Sequence, residues 1–428
     1  VLECMVFATC VILLYYHKIS LTFFIAMTYY IYRYTWLLED INDLTQNYQK
    51  LSVSISRVND ILENRLYEDE KFGNKTLNNI KGTIEFKKVY FAYPDEDNIL
   101  KDFNLELEPN KKIAIVGSSG QGKSTLFNLI TRIFDPNNGE IDIDGINIKD
   151  LTEEDLRKNI SIIRQEPFVF NRTIKENFKI INDNITLSKI RECTKLAYLD
   201  DYIMSLPKKY DTVLGEGGVN LSGGQKQRLS IARTLSKGSK IILFDEATSA
   251  LDNKSQEYIK KTIDNLVKDH TIVIVAHRLS TIIDADIIFV VDNGKVVSSG
   301  THNELLKTSD IVSIHCPLNE QTKGLIGEES FKLMKKEAIL INVGRGGIVD
   351  EEALVEALQN NEIAGAGLDV FEREPLAKES PLLQINDASK LLMTPHIAWA
   401  TVEARNRLFD LVVENIQGFL KGDLKNVC

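Results

Sequence analysis

Three glycines, a lysine and a run of hydroxyls stand together in Gly117-Ser118-Ser119-Gly120-Gln121-Gly122-Lys123-Ser124-Thr125. The stretch follows the apolar run Ile113-Ala114-Ile115-Val116 and leads into a helix start at Leu126-Phe127. Strand, glycine loop and helix in that order form a phosphate cradle. The glycines let consecutive backbone N–H groups converge on phosphate oxygens, and the helix N-terminus adds a favourable field. Lys123 can reach the β- and γ-phosphates of a nucleoside triphosphate, and Ser124 can ligate Mg²⁺.

A second apolar run, Ile241-Ile242-Leu243-Phe244, ends in the adjacent carboxylates Asp245 and Glu246. In an enzyme with a phosphate loop, the first such carboxylate holds Mg²⁺ and the next orients or deprotonates the attacking water. Taken alone, two acids at a strand end are most often a solvated terminus. Here the loop at Gly117–Thr125 gives them a partner.

Leu221-Ser222-Gly223-Gly224-Gln225, followed by Lys226-Gln227-Arg228, completes the set. Ser222 can cap a helix whose first amides, on two glycines, are bare to an anion. With the two preceding motifs, this turn resembles the signature of the ABC transporter family, as found in half-size exporters. The resemblance covers about Lys81 to Lys307. It implies ATP as substrate, Mg²⁺ as cofactor, and a head-to-tail pair in which Ser222, Gly223, Gly224 and Gln225 close over ATP held by a second nucleotide-binding domain, identical or different.

Further positions follow the family order. Tyr93, in Phe91-Ala92-Tyr93-Pro94, resembles the aromatic that stacks on adenine, although a core aromatic would look the same. Gln165 resembles the glutamine that senses Mg²⁺ and contacts the membrane part. Ser249-Ala250-Leu251-Asp252 resembles the loop between two sites, and Leu214-Gly215-Glu216-Gly217-Gly218 an exporter segment. His277 resembles the switch histidine that holds the γ-phosphate. The resemblance therefore makes Glu246, His277, Gln165 and Lys123 the catalytic set, and Ser124, Asp245 and Gln165 the Mg²⁺ set.

The positioning elements read as an α/β chain with largely parallel sheets, since strand and helix patterns alternate from Thr83 onward. Ahead of them, Leu21–Leu38 is about the length a membrane helix needs; a buried core helix is the other reading. Ile41, Leu44, Tyr48, Leu51, Ile55, Val58, Ile61 and Leu62 continue at helical spacing as an amphipathic stalk. Residues 1–63 thus read as the end of a membrane domain, a stub unable to form a transport pathway alone, and 64–80 as a polar linker. By resemblance, the motor and the C-terminal part face the cytoplasm at the cell membrane, and the exported substrate is not legible.

A different pattern begins after Lys307. Its segments are Asp310–Leu318, then Ala338–Val343 into Gly344-Arg345-Gly346-Gly347, a helix at Glu351–Leu358 and a strand at Gly365–Val370. Phe371-Glu372-Arg373-Glu374-Pro375 and Leu391–Ala398 come last. The order resembles the second half of a D-2-hydroxyacid dehydrogenase of the phosphoglycerate dehydrogenase type, a partial Rossmann-like α/β unit over 308–428. The resemblance implies NAD, with Arg345 clamping a carboxylate, Glu374 and His396 moving the hydroxyl proton, and Asp369 near the nicotinamide. No G-x-G-x-x-G loop precedes Asp310, so these four residues read as vestigial. Glu304-Leu305-Leu306-Lys307-Thr308-Ser309-Asp310 satisfies both families at once, as expected of a chimera joined inside a shared segment, or of a genuine fusion.

Bulk composition agrees. At 428 residues, 43% hydrophobic and 26% charged, the chain can bury more than one core. A formal charge of −10 speaks against a nucleic-acid partner. The five cysteines form no C-x-x-C pair and suit reduced thiols.

Overall fold

The computed structural model describes residues 2–62, 71–94, 96–118, 120–215, 218–245, 253–275 and 282–421. They fall into two compact units, Val1–Lys71 and Phe72–Cys428.

The first unit is a helical hairpin. Helix α1 (Leu2–Tyr15) turns at His17, whose φ is 53°, and returns as the 42-residue helix α2 (Leu21–Leu62). Phe7 and Phe24 meet with ring centroids 5.6 Å apart. At 1.5 Å per residue, α2 is about 63 Å long. The membrane helix expected at Leu21–Leu38 finds no support: no helix of the described residues is long and apolar enough to cross a membrane. Length alone suggested it, but Thr22, Thr28, Thr35, Arg33 and the tyrosines at 29, 30, 32 and 34 dilute the apolar run. The helical continuity expected of the stalk is present as far as Leu62; Glu63 lies outside the described residues.

The second unit is mixed α/β. Strands β1 (Ile84–Phe91) and β2 (Leu100–Leu107) precede β3 (Lys112–Val116), helix α3 (Lys123–Ile130), β4 (Asn138–Ile143) and β5 (Ile146–Asn147). Then come α4 (Glu153–Asn159), β6 (Ile160–Ile163), α5 (Ile174–Lys179), α6 (Leu187–Leu196), α7 (Asp200–Ser205) and α8 (Gly223–Lys237). Strand β7 (Ile241–Asp245), helix α9 (Asn253–Leu266), β8 (Thr271–Val275), β9 (Ile287–Asp292) and β10 (Lys295–Gly300) come next. An antiparallel sheet has the order β2-β1-β4-β5, and a six-stranded sheet the order β10-β9-β3-β8-β7-β6. In the larger sheet only the β10–β9 pair is antiparallel.

Strand alternation divides two cores across that sheet. Ile113, Ile115, Ile241, Leu243, Val273 and Val275 face α3 and the antiparallel sheet. Ala114, Ile242, Phe244, Ile272 and Ile274 face the helices α5 to α9. Burial on both faces is why these strands read as continuous apolar runs.

The linker expected at 64–80 differs in its described part. Lys75 N donates to Asp150 O at 2.9 Å, Thr152 N to Lys75 O at 2.9 Å, and the Arg132 guanidinium lies 4.5 Å from the Phe72 ring centroid. Phe72, Leu77 and Ile80 also pack on the core beneath the antiparallel sheet. Three apolar residues in a polar segment are enough to tie it down.

Helix α10 (His302–Thr308) leads to β11 (Ile311–Ile314), α11 (Glu328–Leu333), β12 (Ile339–Asn342), α12 (Glu351–Gln359), β13 (Gly365–Leu368), β14 (Leu391–Met393) and α13 (Val402–Lys421). The four strands form a parallel sheet in the order β11-β12-β13-β14. Helix α10 serves two cores. Leu305 packs on the helical side of the six-stranded sheet, and Leu306, 5% exposed, is buried with Ile314, Phe331 and Leu354 of the C-terminal sheet.

Candidate functional site

The glycine loop leaves β3 and returns as α3. Gly122 caps the helix with φ 84°, a left-handed conformation that favours glycine, and a Cβ there would stand 2.7 Å from Ile99 Cγ2. The helix therefore starts at Lys123, three residues before the start expected from the apolar pattern. Lys123 and Ser124 lie in its first turn.

Lys123 is 6% exposed, and its ammonium donates to the carbonyls of Gly117 at 2.8 Å and Ser118 at 2.7 Å. Ser124 Oγ donates to Asp245 Oδ1 at 3.4 Å. Two oxygens at adjacent corners of an octahedral Mg²⁺ lie about 2.9 Å apart, given bonds of about 2.0–2.1 Å. A hydroxyl and a carboxylate already this close suit the ion, so the donor set fits Mg²⁺. Gly120, with φ 81°, has open space where a Cβ would stand, as a backbone-lined phosphate site requires. Gln121 Oε1 accepts from Asn293 N at 2.6 Å and so pins the loop to the β9–β10 turn.

The sheet sets the remaining positions. Ile163 pairs with Phe244, and Asp245 with Val275, so the C-terminal ends of β6, β7 and β8 are neighbours, with β3 beside β8. Gln165, exposed two residues beyond β6, lies at this same end, the usual place for ligands in parallel sheets. Glu246 and His277 lie outside the described residues, as do Ser119, Glu216, Gly217, and Ser249 through Asp252.

Tyr93 is held firmly. Its hydroxyl shares a hydrogen bond with Thr125 Oγ1 at 3.2 Å and accepts from Asn128 Nδ2 at 3.2 Å. Phe91 and Phe134 meet its ring edge-on at 5.0 and 5.2 Å. The ring is thus tied to the helix carrying Lys123 and Ser124. Asn128 gave no signal in sequence.

Ser222 caps α8 as its residue type suggested. Its Oγ accepts from Gln225 N at 3.3 Å, and Ser222 N donates to Gln225 Oε1 at 2.9 Å. Ser222 and Gly223 are exposed, while Gly224 is buried. Further along α8, Gln227 Nε2 donates to Arg164 O at 3.1 Å and Arg233 Nη1 to Phe168 O at 3.0 Å. The signature helix is bonded to both sides of Gln165, which the motif spacing did not reveal.

The C-terminal sheet also gathers its candidates. His396 Nδ1 and Glu374 Oε2 are hydrogen-bonded at 2.7 Å. That bond, with Phe371 N and the nearby Arg345 charge, holds the Glu374 carboxyl below the usual carboxylate range. Burial pushes Asp369 upward, but Thr394 Oγ1 at 2.5 Å and the N–H groups of Ala398 and Ile397 at 2.7 and 2.8 Å outweigh it, so its carboxyl is lowered. Buried Asn342 shapes the Arg345 turn, donating to Arg345 O at 3.1 Å and accepting from Gly344 N at 3.1 Å. A Cβ on Gly346 would fall 1.7 Å from Phe371 O, so only glycine fits there. Trp399 Nε1 donates to His396 O at 2.7 Å. Asn342, Thr394 and Trp399 are positioning groups that the motifs did not single out.

The helix starts around this C-terminal sheet do not fit the pyrophosphate of NAD. Helix α12 is capped by Asp350, whose carboxylate accepts from Glu352 N and Ala353 N, and its first turn carries Glu351 and Glu352. Helix α11 opens on Glu328 and Glu329. Carboxylates at both helix starts repel a bound anion.

Comparison with known proteins agrees with this division. Residues 100–249 match the ABC transporter family model, and residues 289–398 match that of the D-isomer specific 2-hydroxyacid dehydrogenase, NAD binding domain. The second match begins within β9, inside the six-stranded sheet. A Bacillus subtilis (strain 168) protein, named for multidrug export as an ATP-binding/permease protein, is 43% identical over 62% of this chain and 46% of its own length. ABC transporter B family member 2 of Dictyostelium discoideum is 47% identical over 57% of this chain and 18% of its own length. The chain thus spans less than half the length of these curated relatives. A bacterial Atm1-family ABC exporter with ATP bound aligns with TM-score 0.55 and 33% identity, over 68% of this chain and 51% of that one. The chain therefore carries an ABC transporter domain, matched over residues 100–249, and after it the NAD-binding domain of a D-isomer specific 2-hydroxyacid dehydrogenase, matched over residues 289–398.

Proposed function

We propose that residues 81–307 bind ATP with Mg²⁺ and hydrolyse it as the motor of a membrane exporter. The observation that carries this reading is the 3.4 Å approach of Ser124 Oγ to Asp245 beside the buried ammonium of Lys123. The exporters among the matched proteins support it.

Each residue then has a part. Amides of Gly117–Thr125 cradle the phosphates, with Lys123 on the β- and γ-oxygens, and Tyr93 receives the adenine. Ser124, Asp245 and Gln165 would hold Mg²⁺, which would supply charge neutralisation for the phosphoryl group. Glu246 takes the proton of the attacking water, and His277 and Lys123 hold the developing phosphate charge. Ser222–Gln225 closes over the γ-phosphate bound by a second nucleotide-binding domain, identical or different. The motor sits at the cytoplasmic face of the cell membrane, and the exported substrate is chosen by the membrane part.

Glu246→Gln tests the reading. The variant should keep ATP and hold it in a dimer with little turnover, measured as phosphate release and sedimentation. Undiminished hydrolysis refutes the base assignment.

A second reading rests on the 2.7 Å Glu374–His396 pair. It makes 308–428 a partial Rossmann-like unit that keeps the hydroxy-acid end of a dehydrogenase site, idle for want of the NAD pyrophosphate loop. NADH oxidation with a 2-keto acid, abolished by His396→Ala, would make the unit a working dehydrogenase instead.

A further inference from the structure

Arg228 lies on α8, just beyond the Leu221–Gln225 turn, and the nucleotide reading leaves it without a task. It is 9% exposed, and its guanidinium reaches three elements. Nε donates at 3.3 Å to Gly224 O, a carbonyl of the turn itself, and Nη1 donates to Tyr198 O at 2.8 Å. The same group lies 5.0 Å from the centroid of the Tyr258 ring, within reach of a cation–π attraction. Tyr258 belongs to α9, and its ring stacks on that of Tyr198 at 5.3 Å with the planes 22° apart.

Tyr198 is the telling member. It follows Ala197, the C-cap of α6, where the backbone turns left-handed with φ 52°. Glycine is the usual residue at that position because a Cβ is disfavoured there, and a bulky side chain is uncommon. Here the carbonyl accepts from Arg228 and the ring lies on Tyr258, so both halves of the residue are used. Thr262, 1% exposed, fastens the same helix end from α9 by donating to Leu196 O at 3.1 Å. The end of α6 is thus bonded to α8 on one side and to α9 on the other. Helix α9 begins at Asn253, directly after the sequence that holds Glu246 and Ser249–Asp252.

We propose that Arg228 is a positioning residue: held by the Tyr198–Tyr258 stack, it ties the Ser222–Gln225 turn to α9, so the turn and the segment after Asp245 shift together. The proposal rests on the ATP-hydrolysis reading of residues 81–307. In that reading the turn and Glu246 serve ATP bound to different domains, and the clamp makes them move as one. Loss of the clamp should slow turnover and spare nucleotide binding, because it lies on α6, α8 and α9 rather than on the Gly117–Thr125 loop.

The test uses the full chain. Tyr198→Gly removes the ring but suits the left-handed backbone, so its thermal midpoint should stay close to the native one. Its kcat should nevertheless fall about fivefold or more, with affinity for a fluorescent ATP analogue within about twofold of native. Tyr258→Leu should show the same split, and Tyr258→Phe, which keeps the aromatic face, should restore native kcat. Tyr198→Gly/Tyr258→Leu should be no slower than either single variant, as expected of residues acting as a unit. Hydrogen exchange without nucleotide gives a readout apart from activity: Tyr258→Leu should speed exchange in the first turns of α8 as well as in α9. Native kcat in both single variants, additive losses in the double one, or faster exchange confined to α9 would overturn the clamp. A midpoint falling in step with kcat in Tyr198→Gly would overturn it too, leaving the stack as packing. A native chain that binds the analogue but hydrolyses no ATP would remove the motor reading instead, and the exchange result then decides the clamp by itself.

Discussion

Gln227 Nε2 donates to the carbonyl oxygen of Arg164 at 3.1 Å, joining the helix behind the Leu221–Gln225 turn to the residue before Gln165. Gln227 is 1% exposed, while Arg164 lies at the surface, so the bond is half-buried. The two motifs are far apart in sequence, and this amide is one of two α8 side chains that reach the Gln165 segment. If Gln165 senses the metal, as proposed, Gln227 carries its displacement into α8. Gln227→Leu keeps the bulk and removes the donor. Loss of this half-buried bond should cost about 0.5–1.5 kcal/mol of stability. ATPase assays should show kcat falling more than KM rises, and urea unfolding should give the stability loss. An unchanged midpoint and kcat would sink the coupling.

Asp245 offers a sharper separation of binding from chemistry. Asp245→Asn preserves the shape beside Ser124 but removes the charge that a hard divalent cation needs. Half-saturating Mg²⁺ should rise about tenfold or more, with kcat falling by about 100-fold, in line with a lost transition-state charge partner. ATP binding without metal, followed by fluorescence of a nucleotide analogue, should change little. Equal loss of metal-free binding would place Asp245 in structural support instead.

Ser222 tests the signature turn. Ser222→Ala removes one half of the capping box with Gln225, at a cost of about 1 kcal/mol of helix stability. Ser222→Asp restores the cap but adds a charge where the γ-phosphate of a partner would approach. Thermal unfolding should therefore rank the native and Asp forms together above Ala, whereas ATPase should be lowest for Asp. Matching ranks in both assays would confine Ser222 to helix capping.

Much of this architecture was legible because the chemistry is local. Ile241–Asp245 is a strand by composition, and Gly117–Thr125 is a phosphate loop by spacing. The start of α3 was not, because the apolar pattern begins at Leu126 while the backbone turn is made by Gly122. Gln227 and Asn342 looked like ordinary polar residues. Their partners are backbone groups whose positions only the tertiary fold sets. Leu21–Leu38 had the length of a membrane span without the hydropathy, and counting residues could not separate the two. Glu246 and His277 rest on motif order, since they lie outside the described residues.

Asp369 sets an acid limit on the C-terminal sheet. Its carboxylate accepts from Thr394, Ile397 and Ala398, and its folded pKa lies below its unfolded value despite burial. A depressed carboxylate contributes stability that is fully present above the unfolded value of about 3.9 and is lost as pH falls through the folded one. Glu374, lowered chiefly by its bond to His396, acts in the same direction from about pH 4.3 downward. Unfolding of this unit, followed through Trp399 fluorescence, should begin below about pH 4.3 in the native chain. Asp369→Asn should weaken it at pH 7 and flatten the acid limb. A limb of unchanged slope in that variant would assign it elsewhere.

Helix α10 makes the last prediction, because two adjacent leucines point to different cores. Leu306 is buried with Ile314, Phe331 and Leu354, while Leu305 lies against the helical side of the six-stranded sheet. A leucine-to-alanine change at a buried site costs about 2–5 kcal/mol. Leu306→Ala should therefore loosen the C-terminal sheet first, seen as faster hydrogen exchange in β11 and β12, while Mg²⁺-dependent ATPase persists. Leu305→Ala, at a partly buried position, should have the smaller effect and show it in β10 of the six-stranded sheet. If either substitution loosened both regions equally, α10 would be a rigid bridge that makes the two cores one cooperative unit. Separate responses would mean that the junction helix joins two independently folding bodies, as expected if each came from its own ancestor.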